Sequence, residues 1–233
     1  MVQFGYVTLT LFMSFILLFT YNLALKKIGE SKRKRIKRTA IAGIGLLAWF
    51  VYVYFITRSG ILQNYDLPPR FPIFLVIPPF IFTAIVLYKN RRSKIFAAIP
   101  KSWSIAYQSF RIIIESLFVA TVTLGILHPE VTFEGYNYDI LFGASSFLIL
   151  FLVFVKKAVS EKVALIWNYL GLIVIAFIIF LFTTTTYFPS LWGSTTSLAS
   201  EDMISFPFVL VPAFLMPSAV FVHIFSIMQM QKK

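Results

Sequence analysis

The chain has 233 residues, of which 59% are hydrophobic and 18% aromatic, and a formal net charge of +12. Only about half of the residues of a typical soluble domain are apolar, so this composition excludes an ordinary soluble globular fold. The sequence contains no cysteine, which excludes disulfides, thiolate metal centres and c-type haem attachment. The basic residues fall in short segments between apolar runs, so the positive charge indicates anionic lipid headgroups as partners and not nucleic acid.

Seven apolar runs predict an all-α membrane protein with seven transmembrane helices in a single membrane domain, residues 1–233. The runs are continuous, unlike the alternating pattern of a membrane β-barrel. The predicted spans cover residues 4–25, 39–58, 72–88, 103–128, 139–156, 163–187 and 205–230.

The charges of the connecting segments predict the orientation of these spans. Segments 26–38, 89–101 and 156–162 and the C-terminal pair Lys232 and Lys233 together carry eighteen basic residues. The opposite side has two basic residues, Arg58 and Arg70, and it holds the acids Asp66, Glu130, Glu134, Asp139, Glu201 and Asp202. Because positive charge marks the cytoplasmic side, we expect the N-terminus outside, the C-terminus in the cytoplasm and lipid headgroups at the basic loops.

The predicted fourth span contains a polar stripe. At 100° per residue, Ser104, Gln108, Arg111 and Glu115 fall within an arc of roughly 60°. Arg111 lies about 15 Å and Glu115 about 21 Å along the helix from Lys101, at 1.5 Å per residue. Burying such groups costs several kcal/mol, so they indicate a polar cavity, a working site or a structural ion pair.

Other polar residues are candidate partners of this stripe. Arginine before glutamate at this spacing is the less favourable order within one helix, so partners on other helices or in the outer loop are expected. The outer segment 128–139 is rich in acids, which favour a cation or a vestibule, or form a solvated loop, but its spacing matches no metal motif and we predict no metal or cofactor. The candidate cavity or ligand-binding residues are Gln108, Arg111, Glu115, Glu134, Asn137, Asp139, Asn168 and His223.

Prolines interrupt two of the predicted spans. The third span has prolines at 72, 78 and 79, and the seventh has prolines at 207, 212 and 217. A proline inside a helix leaves a backbone carbonyl without its partner, so neighbouring side chains or water must satisfy it. Broken helices often line substrate sites in transporters, and they also occur in purely structural bundles.

Weak internal similarity permits a 3+1+3 arrangement of two parallel three-helix units. Gly5-Tyr6 and Lys26-Lys27 recur 130 residues later, and Phe71-Pro72 is echoed by Phe206-Pro207. The same layout is seen in SWEET and PQ-loop transporters, although the Pro-Gln dipeptide of that group is absent here. Chance matches between apolar helices are the alternative explanation.

The segments 108–115 and 132–140, which read QSFRIIIE and TFEGYNYDI, resemble a widespread family of bacterial multi-pass membrane proteins of unknown function. Segments 67–69, 167–168 and 206–208 fit the same family, so the resemblance spans most of the chain. It implies the bacterial cytoplasmic membrane as the location and carries no activity or substrate with it.

Three functions fit these residues. The first is a transporter of a small solute or ion, or a membrane binding protein, whose cavity is lined by the fourth span; Arg111 would hold an anionic group or a carboxylate of Glu134 or Asp139. The second is an intramembrane enzyme that acts on a lipid or isoprenoid, with Arg111 binding a phosphate and Glu115 or Glu134 as acid or base. The third is a non-catalytic subunit or scaffold in which Arg111 and Glu115 pair with each other. We prefer the first.

Overall fold

The computed structural model describes residues 1–63, 68–195, 197–198 and 200–231. Four residues used in the sequence analysis lie outside these ranges, namely Asp66, Leu67, Lys232 and Lys233. Within the described residues the chain forms helices and turns and no strand, which confirms the all-α class.

The helices of the described residues are labelled in chain order. They are α1 (Val2–Lys27), α2 (Lys32–Arg58), α3 (Pro72–Asn90), α4 (Lys94–Ala98), α5 (Lys101–Tyr107), α6 (Phe110–Val122), α7 (Asp139–Val155), α8 (Glu161–Tyr187) and α9 (Val211–Gln231). Short π-helical segments open α3 and α9 and close α7. Short 3-10 turns lie at Ile61–Gln63, Pro129–Val131, Pro189–Trp192 and Glu201–Ile204.

Six of the described helices are long and apolar enough to cross a membrane, which fits a multi-pass membrane protein. They are α1, α2, α3, the α5–α6 pair, α8 and α9. Helix α7 has 11 residues of α-helix and 6 of π-helix, about 26 Å at 1.5 Å per residue, and is shorter than these. The predicted fifth span (139–156), the total of seven spans, the orientation and the internal repeat therefore stay predictions.

The fourth span differs from its prediction at two places. It ends at Val122 and not at residue 128, because Gly125 adopts φ +71° and its N–H bonds the carbonyl of Val122 at 2.8 Å. It is also interrupted between α5 and α6, where the backbone from Gln108 to Ile112 is held by hydrogen bonds to the third preceding residue. Glu115 consequently lies only about 10 Å from the end of its helix.

The seventh span begins later than predicted. Residues 205–209 form turns around a cis Phe206–Pro207 bond, and α9 begins at Val211. Pro212 occupies the first turn of α9, where a missing N–H costs nothing. The dipeptide Phe206-Pro207 thus precedes its helix, whereas Phe71-Pro72 opens α3 directly.

Helix α2 supplies donors to two carbonyls that prolines leave free. The indole N–H of Trp49 donates to the carbonyl of Ala213 at 2.9 Å, four residues before Pro217. The hydroxyl of Tyr52 donates to the carbonyl of Phe74 at 3.3 Å, four residues before Pro78. These two rings stack at 5.1 Å. Neighbouring side chains thus satisfy the broken helices, as the prolines require.

Contacts between the basic segments place them at one end of the bundle, here called the basic end. The Lys27 ammonium donates to the carbonyl of Ala98 at 3.2 Å, and the Gln229 amide donates to two carbonyls of the same segment, residues 96 and 99, at 2.8 Å. Lys101 pairs with Glu161 at 2.6 Å. The charge asymmetry of the sequence is therefore a spatial asymmetry of the fold.

Helix α9 is the centre of the bundle, and α3, α5 and α8 pack around it. Helix α2, by contrast, lies at the periphery of the bundle, since Val53 is its only buried residue. Large apolar side chains such as Ile44, Leu47 and Phe55 are exposed along its outer face. A protein in water would not leave so much apolar surface uncovered, so these faces fit contact with lipid.

Candidate functional site

A buried ion pair joins α6 to α7. One terminal nitrogen of Arg111, Nη2, contacts Oδ1 of Asp139, and the two side chains are only 2% and 10% exposed. The guanidinium carbon also lies 4.6 Å from the centre of the Phe142 ring. The close approach of α7 to α6 at this point depends on Gly143, because a Cβ there would lie 3.1 Å from both Arg111 Cβ and the backbone nitrogen of Ile112. Asp139 lies in the first turn of α7, where the helix dipole favours a negative charge.

A second chain of hydrogen bonds runs from Arg111 to α8 and α9. Its Nη1 lies 3.3 Å from Nε2 of His223, whose Nδ1 lies 2.9 Å from Oδ1 of Asn168. The Asn168 amide nitrogen donates to the carbonyl of Ala164 and to the hydroxyl of Ser226, so its oxygen must accept from the imidazole. This network assigns a proton to Nδ1 and makes Nε2 the acceptor from the guanidinium, so the imidazole is neutral.

Aromatic rings fix His223 in this position. Phe142 and Trp167 stack with their centres 4.4 Å apart, and Trp167 lies 5.5 Å from the imidazole. The Trp167 indole N–H donates to the hydroxyl of Ser145 at 2.9 Å. One helical turn after Trp167, a Cβ at Gly171 would lie 2.4 Å from Cε1 of His223 and 2.7 Å from Cζ of Phe142. Only glycine leaves room for the imidazole at this point.

Glu115 binds the segment that follows α6. Its carboxylate accepts the backbone N–H of Phe133 at 2.6 Å and the side-chain amide of Asn137 at 3.0 Å. The Asn137 oxygen in turn accepts the backbone N–H of Asp139 at 3.0 Å. Glu115 and Arg111, one helical turn apart, thus hold two points of the same short segment.

The segment itself is tightly folded. The Asn137 N–H donates to the carbonyl of Thr132 at 3.0 Å. A Cβ at Gly135 would lie 2.5 Å from Cα of Glu130, so glycine is required there. Glu134 uses its N–H to bond the Thr132 hydroxyl, and its residue is exposed. Glu134 therefore lies at the surface and outside the buried network, and its role in ligand binding stays a prediction.

Gln108 lies apart from the ion pair although it belongs to the same stripe. Its amide nitrogen donates to the carbonyl of Ala219 on α9 at 3.1 Å. The four stripe residues, Ser104, Gln108, Arg111 and Glu115, are at most 2% exposed. The stripe therefore faces the interior, but the turn between α5 and α6 separates its two halves.

Six of the eight candidate residues thus form one connected network, Asn168, His223, Arg111, Asp139, Asn137 and Glu115. Arg111 and Glu115 do not pair with each other, so that part of the scaffold interpretation is wrong. Sequence reasoning missed the Phe142 and Trp167 rings and the glycines at 143 and 171. The two glycines were visible only as glycines within apolar helices, which also occur without a function. Trp167 was visible only as part of segment 167–168 of the family resemblance.

A cavity of about 170 Å³ lies between α3, α6, α8 and α9, and Arg111 and Asp139 form part of its wall. No other charged residue lines it within the described part of the chain. Four phenylalanines contribute to the wall, Phe71, Phe110, Phe118 and Phe182. Four hydroxyl-bearing residues also line the cavity, Thr183, Thr186, Tyr187 and Ser200. It is therefore an apolar chamber with one compensated ion pair.

Comparisons with family models, with curated proteins and with solved structures find no match to this chain.

Proposed function

We propose that this multi-pass membrane protein binds an uncharged amphipathic molecule of the bilayer, such as a long-chain alcohol or an isoprenoid alcohol, in the cavity beside Arg111. The single observation that carries this proposal is the lining: an apolar chamber whose only charged groups in the described chain are paired with each other. Its volume of about 170 Å³ is close to that of an engineered apolar cavity of roughly 150 Å³ that holds benzene, so it accommodates the hydroxyl end and the adjoining carbons of such a molecule and not its whole chain.

The ion pair determines which polar end the ligand should have. Asp139 already neutralises Arg111, so an anionic headgroup would have to displace a carboxylate that the helix α7 dipole stabilises. A hydroxyl or carbonyl group needs no such exchange, because it can bond to the outer edge of the pair. The same lining gives little support to a transported ion or sugar, which would lose its hydration against phenylalanine rings.

The enzyme alternative gains less support from this geometry. Glu115 is committed to a backbone N–H and an asparagine, and Glu134 is exposed in a turn. Neither carboxyl group lines the cavity. A general acid or base must lie within hydrogen-bond reach of the reacting group, so the positions of these two glutamates favour binding over the acid–base chemistry expected of them.

Photo-crosslinking tests the binding proposal. Purified protein in lipid nanodiscs is exposed to hexadecanol or to hexadecanoate, each carrying a diazirine in its chain. We expect the alcohol to label peptides of α6 and α9. The variant Ile179→Trp, which fills the cavity from α8, should abolish that labelling. The matched control is Ile173→Trp on the same helix, where the side chain is 63% exposed and lies outside the cavity.

Equal labelling of wild type and Ile179→Trp would overturn the proposed site. Stronger labelling by hexadecanoate than by hexadecanol would overturn the proposed headgroup. Labelling confined to exposed faces such as that of α2 would show that the probe reports lipid contact alone and would likewise reject the cavity.

We further propose that the basic end faces the cytoplasm of a bacterial inner membrane, as the charge asymmetry favours. Because the sequence has no cysteine, a single cysteine can be introduced at Ser31 of the basic end or at Ser190 of the opposite segment. In intact cells a membrane-impermeant maleimide should label the second position only. Labelling of Ser31→Cys alone would show that the protein has the opposite orientation and would overturn this proposal.

A further inference from the structure

A second groove lies at the basic end, separate from the Arg111 cavity. It has a volume of about 460 Å³ and is lined on α1 by one face of the helix from Ile16 to Lys27. Its other wall is the segment from Ala98 to Trp103, which connects α4 to α5. The first and last lining residues of α1 are eleven residues apart, so the groove extends about 16 Å along this helix.

Helix α4 packs against α1 at the end of the groove that Lys27 and Ala98 line. Ile95 and Ala98 of α4 pack with Ala24 and Leu25 of α1 in one buried cluster. The Lys27 bond to the carbonyl of Ala98 fastens the same contact at the surface. Farther along α1, the exposed apolar side chains of Phe19 and Leu23 line the groove.

Two polar groups mark the mouth of the groove. Lys27 is exposed and gives one of its three N–H groups to Ala98, which leaves two for another acceptor. The nearest acid in sequence, Glu30, is already paired with Arg38 at 3.0 Å. The positive charge of Lys27 is therefore not neutralised by that neighbour.

Trp103 supplies the second polar group. The indole N–H groups of Trp49, Trp167 and Trp192 each donate a hydrogen bond. The indole of Trp103 has no such partner among the described residues, and its ring lines the groove within one helical turn of Lys101. An indole at this depth is typical of the membrane interface, where it bonds lipid ester or phosphate oxygens.

We propose that this groove binds an anionic phospholipid, with one acyl chain along α1, the phosphate at Lys27 and an ester or phosphate oxygen at the Trp103 N–H. The apolar walls match a hydrocarbon chain, and the ammonium group of Lys27, which forms no ion pair within the described residues, matches a negative headgroup. The site does not depend on the ligand proposed for the Arg111 cavity, because the two share no lining residue.

Native mass spectrometry of the full-length protein tests this site. The protein is released from micelles containing equal amounts of dioleoyl phosphatidylglycerol and dioleoyl phosphatidylcholine, and the ratio of the two adducts is measured. Wild type should prefer phosphatidylglycerol. Lys27→Gln should lower the preference about fivefold, the contribution expected from one lysine at a membrane surface. Trp103→Phe should weaken both adducts, since both lipids have ester and phosphate oxygens.

Lys89→Gln is the matched control, because it removes the same charge from an exposed position at the end of α3. It should behave as wild type. An equal loss in Lys27→Gln and Lys89→Gln would show a diffuse charge effect and overturn the site. Excess inorganic phosphate should leave the adducts unchanged, and competition by phosphate would overturn the role of the acyl chain. Leu23→Trp, which fills the groove without changing charge, should remove the adduct; an unchanged adduct would also reject the proposal.

Discussion

Replacing Asp139 with leucine removes the only carboxylate that contacts Arg111 in the described chain. The guanidinium is 2% exposed, and its other partners are a neutral imidazole and the Phe142 ring, so its charge would stay buried without a counterion. Removing one member of such a buried pair costs about 3–5 kcal/mol. We expect Asp139→Leu to lose this much free energy of unfolding.

The double variant Arg111→Met/Asp139→Leu should recover most of this loss. Buried ion pairs replaced by apolar residues of similar size are often as stable as the original pair, because no charge then has to leave water. The comparison of the two single variants with the double variant gives the coupling energy of the pair directly.

The measurement is reversible unfolding of the purified protein by dodecyl sulfate in mixed micelles, followed by tryptophan fluorescence. Asp202→Leu is the control, since Asp202 is an exposed acid and its replacement should change stability by no more than about 0.5 kcal/mol. A loss for Asp139→Leu no larger than that of the control would refute the argument. So would a double variant as unstable as the sum of the singles.

Two further substitutions test the packing around the network. Gly171→Ala should cost about 1–3 kcal/mol of unfolding free energy, because its Cβ would lie 2.4 Å from the His223 ring. The control is Gly45→Ala, where nothing lies within 4 Å of the added Cβ, and it should leave the unfolding free energy unchanged or raise it by up to about 1 kcal/mol. Equal effects of the two substitutions would contradict the close contact between Gly171 and His223. Trp49→Phe should cost roughly 0.5–1.5 kcal/mol in the same assay because it frees a carbonyl in α9, whereas Trp103→Phe, which loses no bond within the described residues, should cost less.

The sequence predicts the helices well because apolar runs of this length have few alternatives. It predicts their ends less well, because hydropathy does not distinguish a helix from an apolar turn. Residues 124–127 are predicted as a continuation of the fourth span, yet the helix ends at Val122 because Gly125 adopts a left-handed conformation. Similarly, Phe208 and Val209 read as helix although they form turns before α9.

The polar stripe was recognisable because arginine and glutamate are rare within apolar runs. Their partners were harder to identify, since pairing depends on which loop folds back onto α6. Asp139 and Asn168 were among the candidates because they are polar, and His223 because it lies within a span. Phe142 carried no comparable signal, because phenylalanine occurs 27 times in this chain and its position over the guanidinium depends on helix packing.

Asp139 links the outer segment to the cavity. Its N–H is held by Asn137, which Glu115 holds in turn, and its carboxylate neutralises Arg111 in the cavity wall. Glu115 does not line the cavity itself, but it binds Asn137, whose side-chain oxygen accepts the N–H of the first residue of α7. The two charged residues of the stripe therefore have different roles. Arg111 forms the polar wall of the cavity, and Glu115, through Asn137, positions the carboxylate of Asp139 that neutralises this wall.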